Sequence, residues 1–501
     1  MMQFTKTLRI IPLLSTALLA GCSTFPGAAS YSERGAGFAN VSTIATAATG
    51  KSTVWVQNQQ QANALADEVR LLVFKKTISA DTAVQVALLN NKGLQAAYAE
   101  LGLSAADVWQ QALLENPTVS IGVLGIASPG LGLFRAIEGI IANNILALAT
   151  RDRRIDIADA RFRQAQLKAA NATLTLAVDT RRAWINAVSA FETVYYLKQG
   201  LATADAASEL AKRLGETGAM PKGEQAREHA FYAELTGQTA QAKLAAQLAK
   251  EELTRLMGLW GAEVDYFIPD KLPALPGGLV NKSAVEREAL RNRVDLQIAK
   301  VELEVSAKSF GLTDATKYVT DLEVISGVEL EREIDTDYEL VGGDLTKTTA
   351  VETTITPQIE FEFVIPIFDS GEARLRKAEL AYMQAANLLA EKAVNIRSEA
   401  RSAYTAYRAT YDIALHYRNS VLPLRVTIEE EALLTYNGMI SNTFELLADT
   451  RAKVGTLLDS VNAKRDFWLA DANLSAAIFG GGSASSAGET TAMAGNGSGE
   501  H

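Results

Sequence analysis

The chain has 501 residues, 48% of them hydrophobic and 21% charged, with a formal net charge of −10 at pH 7. A mean hydropathy of +0.04 excludes both a disordered chain and a polytopic helical membrane protein, and the acidity argues against nucleic acid as a partner. Eleven prolines and 7% aromatics, against abundant Ala, Gln, Glu and Leu, favour long helices.

Residues 1–21 read as a targeting segment. Lys6 and Arg9 give a positive start, and Ile10 to Ala20 is an apolar run too short to span a bilayer. Leu19-Ala20-Gly21-Cys22 follows and resembles a bacterial lipoprotein signal, which implies cleavage before Cys22 and a diacylglycerol/palmitoyl lipid on that residue. The alternative is an ordinary secretory peptide with an incidental cysteine. Cys22 is the only cysteine, so neither an internal disulfide nor a cysteine-based zinc site is possible. Each buried methylene contributes about 0.8 kcal/mol, so several acyl chains anchor firmly. Ser23 in place of Asp implies, by the same resemblance, sorting to the outer membrane.

Residues 22–76 are rich in Ser, Gly, Ala and Gln and read as an extended, lipid-anchored arm with a short helix near Gln61–Leu72. Helical patterning sets in at Ser79-Ala80-Asp81, where Ser or Asp can cap the first turn. The same pattern returns at Ser283–Phe310: Ala87, Leu88, Leu94 and Gln95 match Ala289, Leu290, Leu296 and Gln297 at an offset of 202 positions. Further on, Arg182, Ala183 and Trp184 match Ser402, Ala403 and Tyr404 at an offset of 220. The chain is therefore two copies of one unit, with the variable piece about 18 residues longer in the second copy. The copies take residues 77–265 and 281–478, joined by a Pro-rich linker over 266–280, with a Gly/Ser tail over 479–501 that reads as disordered.

In the second copy the variable piece is β. Leu322, Val324, Ser326, Val328 and Leu330 alternate with polar residues and Ile325. After Gly342-Gly343 a return strand places Ile359, Phe361, Phe363, Ile365 and Ile367 on one face, with Gln358, Glu360 and Glu362 on the other. Such alternation fits a transmembrane barrel strand with lipid on one side and water on the other; it fits equally an edge hairpin on a soluble core. In the first copy Thr118–Ile126 alternates, a Ser-Pro-Gly turn follows at 128–130, and Phe134–Thr150 is either a strand or the start of a helix.

Long helices follow, over Arg151–Arg213 and Gly371–Tyr436. The second carries a seam at Tyr382, Ala386, Leu389, Ala393, Ile396, Ala400, Ala403 and Tyr407, in alternating steps of four and three that demand a partner helix. The first repeats it at Phe162, Ala169, Leu176 and Ala183. Pro423 is expected to interrupt the second helix. Both end at glycine turns, Gly218 and Gly438, before return helices over Lys222–Leu256 and Thr443–Ala477. No enzyme motif is present: His229, His416 and His501 are not at metal-ligand spacing, and there is no GxSxG, Walker loop or GxGxxG. The chain reads as a non-enzyme without cofactor beyond the lipid.

A lipobox followed by two copies of helix, hairpin, long helix, glycine turn and return helix resembles the TolC-like outer-membrane efflux proteins. Pro366-Ile367-Phe368-Asp369-Ser370-Gly371 is similar to that family's strand-to-helix junction, P-[IL]-F-D-x-G. Gly438-Met439-Ile440-Ser441 with Glu445-Leu446-Leu447-Ala448-Asp449 is similar to its hairpin tip. The resemblance spans residues 77–478, although the first hairpin lacks the junction motif. It implies a mainly α fold with a transmembrane β part. As a homotrimer, the chain would form a 12-stranded outer-membrane barrel continued by a periplasmic α-helical barrel, with Ile359, Phe361 and Phe363 toward lipid and Glu360 and Glu362 toward the lumen. It further implies an exit duct for small solutes, supplied by an inner-membrane transporter through a periplasmic adaptor docked at Gly218 and Gly438. Glu445 and Asp449, one helical turn apart, would narrow the periplasmic mouth; two solvated acids on an exposed helix are the plainer reading. A structural or adhesive coiled-coil lipoprotein without a pore is the competing function.

Overall fold

The structure is a computed structural model that describes residues 28–126, 134–279, 284–341, 344–438 and 443–482. The segment read as a signal, with Cys22, the expected turn at 128–130, Gly342-Gly343, residues 439–441 and the tail beyond 482 lie outside these. Among the described residues the helices are α1 (Ala28–Tyr31), α2 (Phe38–Thr49), α3 (Gln59–Val73), α4 (Ala80–Asn90), α5 (Lys92–Ala112), α6 (Ile145–Glu216), α7 (Lys222–Met257), α8 (Val285–Asn292), α9 (Val294–Ala315), α10 (Glu372–His416), α11 (Leu422–Asn437) and α12 (Thr443–Phe479). The strands are β1 (Thr118–Leu124), β2 (Ala136–Asn144), β3 (Leu322–Val341) and β4 (Asp344–Phe363). Two compact units result: residues up to 36 with 103–164 and 300–388, and residues 37–102 with 165–299 and 389 onward.

The first unit holds one antiparallel sheet in the order β1-β2-β3-β4. The Phe134–Thr150 segment is strand and helix in turn: β2 ends at Asn144, whose side-chain oxygen accepts the Ala147 amide at 2.7 Å and caps α6. Strand β4 stops at Phe363, so Ile365 and Ile367 fall beyond it and are not strand residues as the alternation suggested. Pro366 explains the stop, because it cannot donate to a ladder and holds its predecessor extended. The helical part of this unit has a small apolar cluster of Ile157, Ala160 and Val305.

The second unit is helical and carries most of the core. The seam of α10 is buried at Ile396, Ala400 and Tyr407, and it continues to Tyr411 and Ala414. Its partner is α12: the Tyr407 and Tyr411 rings lie 5.6 and 5.5 Å from that of Phe467. In the first copy Ala169 and Ala183 are buried in this unit. Trp184 joins a cluster with Ile78, Val188, Leu253, Met257 and Tyr266, and its indole N–H donates to the Ile78 carbonyl at 3.1 Å.

The duplication is visible in the backbone. Helices α4 and α5 are separated by one extended residue, Asn91 (φ −64, ψ 121), and α8 and α9 by Arg293 (φ −64, ψ 120), at the same offset of 202 positions. The expected interruption of the second long helix is a wide turn at Tyr417–Val421, closed by a bond from the Leu422 N–H to the Tyr417 carbonyl. It ends two residues before Pro423, whose ring would clash with the carbonyl four residues back in a regular helix.

Two expectations need correction. The stretch read as an extended arm does carry its expected helix, α3, but its described part adds α2, and the two pack down through Val41, Ala45, Leu65, Val69 and Val73. Small Ala and Thr residues conceal the i, i+4 spacing of α2. The stretch read as a linker is built into the core, since Tyr266, Leu272 and Leu275 are buried.

Candidate functional site

The sheet's register sorts its side chains into rows. On one face the rows are Leu322–Phe363; Asn143–Val324–Phe361; Val119–Ile141–Ser326–Ile359; Ile121–Gly139–Val328–Pro357; and Val123–Ile137–Leu330–Ile355. Ile359, Phe361 and Phe363 thus share a face, as expected, and are 71%, 67% and 57% exposed. Eight residue steps along β3 make this apolar band about 27 Å long, close to the ~25 Å that a barrel presents to lipid before strand tilt is allowed for. Exposed aromatics flank its helix-proximal end: Trp109 near the end of α5, Tyr318 just before β3 and Phe368 just after β4.

The opposite face carries Glu138, Glu323, Glu329, Glu331, Glu360 and Glu362 with Ser, Thr and Gln among them. Ile140, Ile325 and, at its edge, Leu124 are its large aliphatic exceptions, with Ala136 and Ala142 as small ones. Glu323 stands directly opposite Glu362, and Glu138 opposite Glu329, arrangements that repel unless water screens them. Gly327 serves this face: a Cβ there would lie 2.9 Å from the Gly139 carbonyl, and the open space lets the Gln358 amide reach across to Glu138 at 2.8 Å. Beyond Glu331, β3 and β4 continue alone as a two-stranded ribbon to Val341 and Asp344.

The second junction explains its own motif. The Asp369 carboxylate accepts the Gly371 amide at 2.8 Å, and Arg374 lies 3.6 Å away on the same acid. Gly371 has φ +75, and a Cβ would come within 2.6 Å of the Lys317 carbonyl, so only glycine fits. The first junction achieves the same strand-to-helix change with Asn144, which is why no matching motif occurs there.

At the first tip, Gly218 has φ +75 and the Ala219 amide donates to the Leu214 carbonyl at 2.8 Å, a left-handed helix end that hands over to Pro221 and α7. Gly438 closes α11 with its amide on the Leu434 carbonyl at 2.9 Å. Glu445 stands exposed in the first turn of α12, where an acid is favoured by the helix dipole, and Asp449 is half-buried one turn on.

Sequence reading missed the buried ionic ties. Arg293 is 3% exposed and holds Asp295 at 2.8 Å and Glu399; Lys392 reaches Asp295 at 2.9 Å. Burial alone would push the Asp295 carboxyl up, but the bonds from Arg293 and Lys392 hold it below its ordinary range. Buried Glu228 meets Arg451 at 2.8 Å, and buried Glu192 meets Lys464 at 2.9 Å. In the first unit Arg163 bonds Glu304 at 2.7 Å and Lys308 adds a second bond, so the Glu304 carboxyl falls to about 2. Single charges on amphipathic helices give little signal of such pairing, because Arg163 and Glu304, Arg293 and Glu399, Glu228 and Arg451, and Glu192 and Lys464 lie more than a hundred positions apart and meet only in the fold.

A four-stranded sheet with one bare apolar face and duplicated long helices make up a fold shared with solved outer-membrane channels, and the resemblance noted above holds at the level of fold. Among solved structures, the chain is similar to the CmeC outer membrane channel of Campylobacter jejuni (18% identity over 80% of this chain and 85% of that one, TM-score 0.63). It is similar also to CusC, whose structures concern folding and transmembrane channel formation (15%, 81% and 94%, TM-score 0.62). A third is the open state of the MtrE outer membrane channel of Neisseria gonorrhoeae (16%, 80% and 88%, TM-score 0.59). No profile of a known protein family and no curated protein sequence matches the chain. Among the described residues no helix is long and apolar enough to cross a membrane, which says nothing about a barrel.

Proposed function

We propose that this chain is an outer-membrane exit duct of an efflux system. Three copies close their sheets into one 12-stranded barrel and extend their helices into the periplasm. The observation that carries this reading is the apolar face of the sheet, bare across all four strands and backed by an acidic face. Such a sheet has two unpaired edges, β1 and β4, and lipid tolerates neither, so closure requires further copies. In this reading Glu360 and Glu362 line the lumen, Glu445 and Asp449 narrow the periplasmic mouth, and the tips at Gly218 and Gly438 receive the adaptor through which an inner-membrane transporter delivers solute. A lipid on Cys22 tethers the arm.

Reconstitution of the purified full chain into a planar bilayer tests the proposal. Discrete conductance steps from a cross-linkable trimer are expected. A water-soluble monomer that stays monodisperse without detergent and conducts nothing overturns it. Mass spectrometry of the mature N-terminus tests the lipid separately.

A further inference from the structure

The helical unit holds a cavity that the channel reading does not use. It has a volume of about 210 Å³ and lies where the linker, α6, the wide turn at Tyr417–Val421 and α12 meet. Its apolar wall includes Leu275 of the linker, Leu422 at the start of α11, and Leu457 and Val461 of α12. Its polar lining is Glu192, Tyr196, Arg418, Ser460 and Lys464. The linker is fastened as one wall: the Leu272 amide donates to Glu192 at 2.9 Å, and the Lys271 ammonium lies 5.0 and 5.6 Å over the rings of Tyr195 and Tyr196.

The charges of the lining do not balance. Glu192, 2% exposed, is its sole carboxylate, and both oxygens are taken: one accepts the Leu272 amide, the other Lys464 at 2.9 Å. Arg418 has no carboxylate partner among the described residues. Its Nε donates to Asn419 at 3.0 Å, which leaves the two terminal nitrogens without a protein acceptor there. Two cations against one carboxylate leave one positive charge in surplus, and no free carboxylate remains for a cationic guest. A guanidinium offers a carboxylate two parallel bonds. Wide turns such as the one that carries Arg418 recur at functional sites. An apolar cavity of ~150 Å³ accepts benzene, so about 210 Å³ leaves room for a ring and a carboxylate.

We propose that this cavity binds a small organic carboxylate with an apolar body, the charge on Arg418 and the body against Leu275, Leu457 and Val461. Such a guest would touch both copies of the repeat and the linker between them. The proposal stands apart from the barrel reading, because every lining residue belongs to the helical unit.

The test is ligand-observed fluorine NMR of 4-fluorobenzoate with the purified full chain in dodecyl maltoside. Wild type should broaden the signal with a dissociation constant on the order of 1 mM, and unlabelled benzoate should reverse the broadening. Arg418→Gln, at an exposed position, should bind about tenfold more weakly at an unchanged melting temperature. Arg418→Lys should fall between, and Arg397→Gln, at an exposed position of α10, should match wild type. Equal binding by Arg418→Gln overturns the site, as does the absence of broadening at about 10 mM ligand. If 4-fluorobenzamide binds as tightly as 4-fluorobenzoate, the pocket has no charge preference and the anion assignment falls. If inorganic phosphate displaces the probe as well as benzoate does, the site takes bare anions and the organic class falls. Conductance in the planar bilayer decides the duct separately, so the two readings fail independently.

Discussion

The two copies break their first helix at one backbone geometry held by two chemistries. At Asn91 a neutral amide does the work: its nitrogen donates to the Leu256 carbonyl at 2.9 Å, and its oxygen accepts the Leu94 amide at 3.0 Å. At Arg293 the same break is held by a buried guanidinium with Asp295, Glu399 and, through Asp295, Lys392. Identical dihedrals therefore do not imply interchangeable side chains. A buried ion cluster contributes little net stability when complete yet is costly to break, whereas a half-buried amide such as Asn91 costs less to remove.

Arg293→Ala should lower stability by about 3–5 kcal/mol, because it leaves half-buried Asp295 charged with only Lys392 nearby. Thermal unfolding of the detergent-solubilised chain reads this directly. A loss under 1 kcal/mol would mean that the two breaks are equivalent after all. Next in size is the junction contrast. Gly371→Ala forces a Cβ against the Lys317 carbonyl at positive φ and should cost about 2–3 kcal/mol, against about 1 kcal/mol for removing the Asn144 cap with alanine. Asn91→Ala should cost about 1–2 kcal/mol, visible as a lower denaturant midpoint at unchanged slope.

The smallest effect concerns Glu304. Its carboxyl is held at about 2 by Arg163 and Lys308, so its contribution is complete above the ordinary carboxylate pKa of 4.5 and fades as pH falls toward 2. The group is well exposed, and Glu304→Gln should cost under about 1 kcal/mol at neutral pH after screening. Wild type and variant should converge in melting temperature near pH 2. A difference independent of pH would assign the effect to packing.

Much of this architecture was legible in the sequence because it rests on period. The seam from Leu389 to Tyr407, the alternation from Ile359 to Phe363 and the 202-position offset all survive in the structure. What stayed hidden depends on partners rather than spacing. Helix α2 buries Val41 and Ala45 through residues too small to give a strong apolar period. The linker is anchored by Tyr266 and Leu272, which no local pattern marks as core. Glu445 and Asp449 lie one turn apart as the numbering requires, but a narrow mouth is a property of several chains.

The wide turn at Tyr417–Val421 has a consequence for engineering. A five-residue backbone loop in place of four accommodates one surplus residue, and each residue of a regular helix advances the azimuth by about 100°. Excising a single residue there would straighten the coil and leave the bearing of Leu422–Asn437 nearly unchanged, because the wide turn already takes up the surplus residue's ~100°. Arg425 would then keep its aim at Thr456, to which it donates at 3.2 Å. The bulge keeps phase: it takes up a one-residue change of length that a regular helix would turn into a change of bearing.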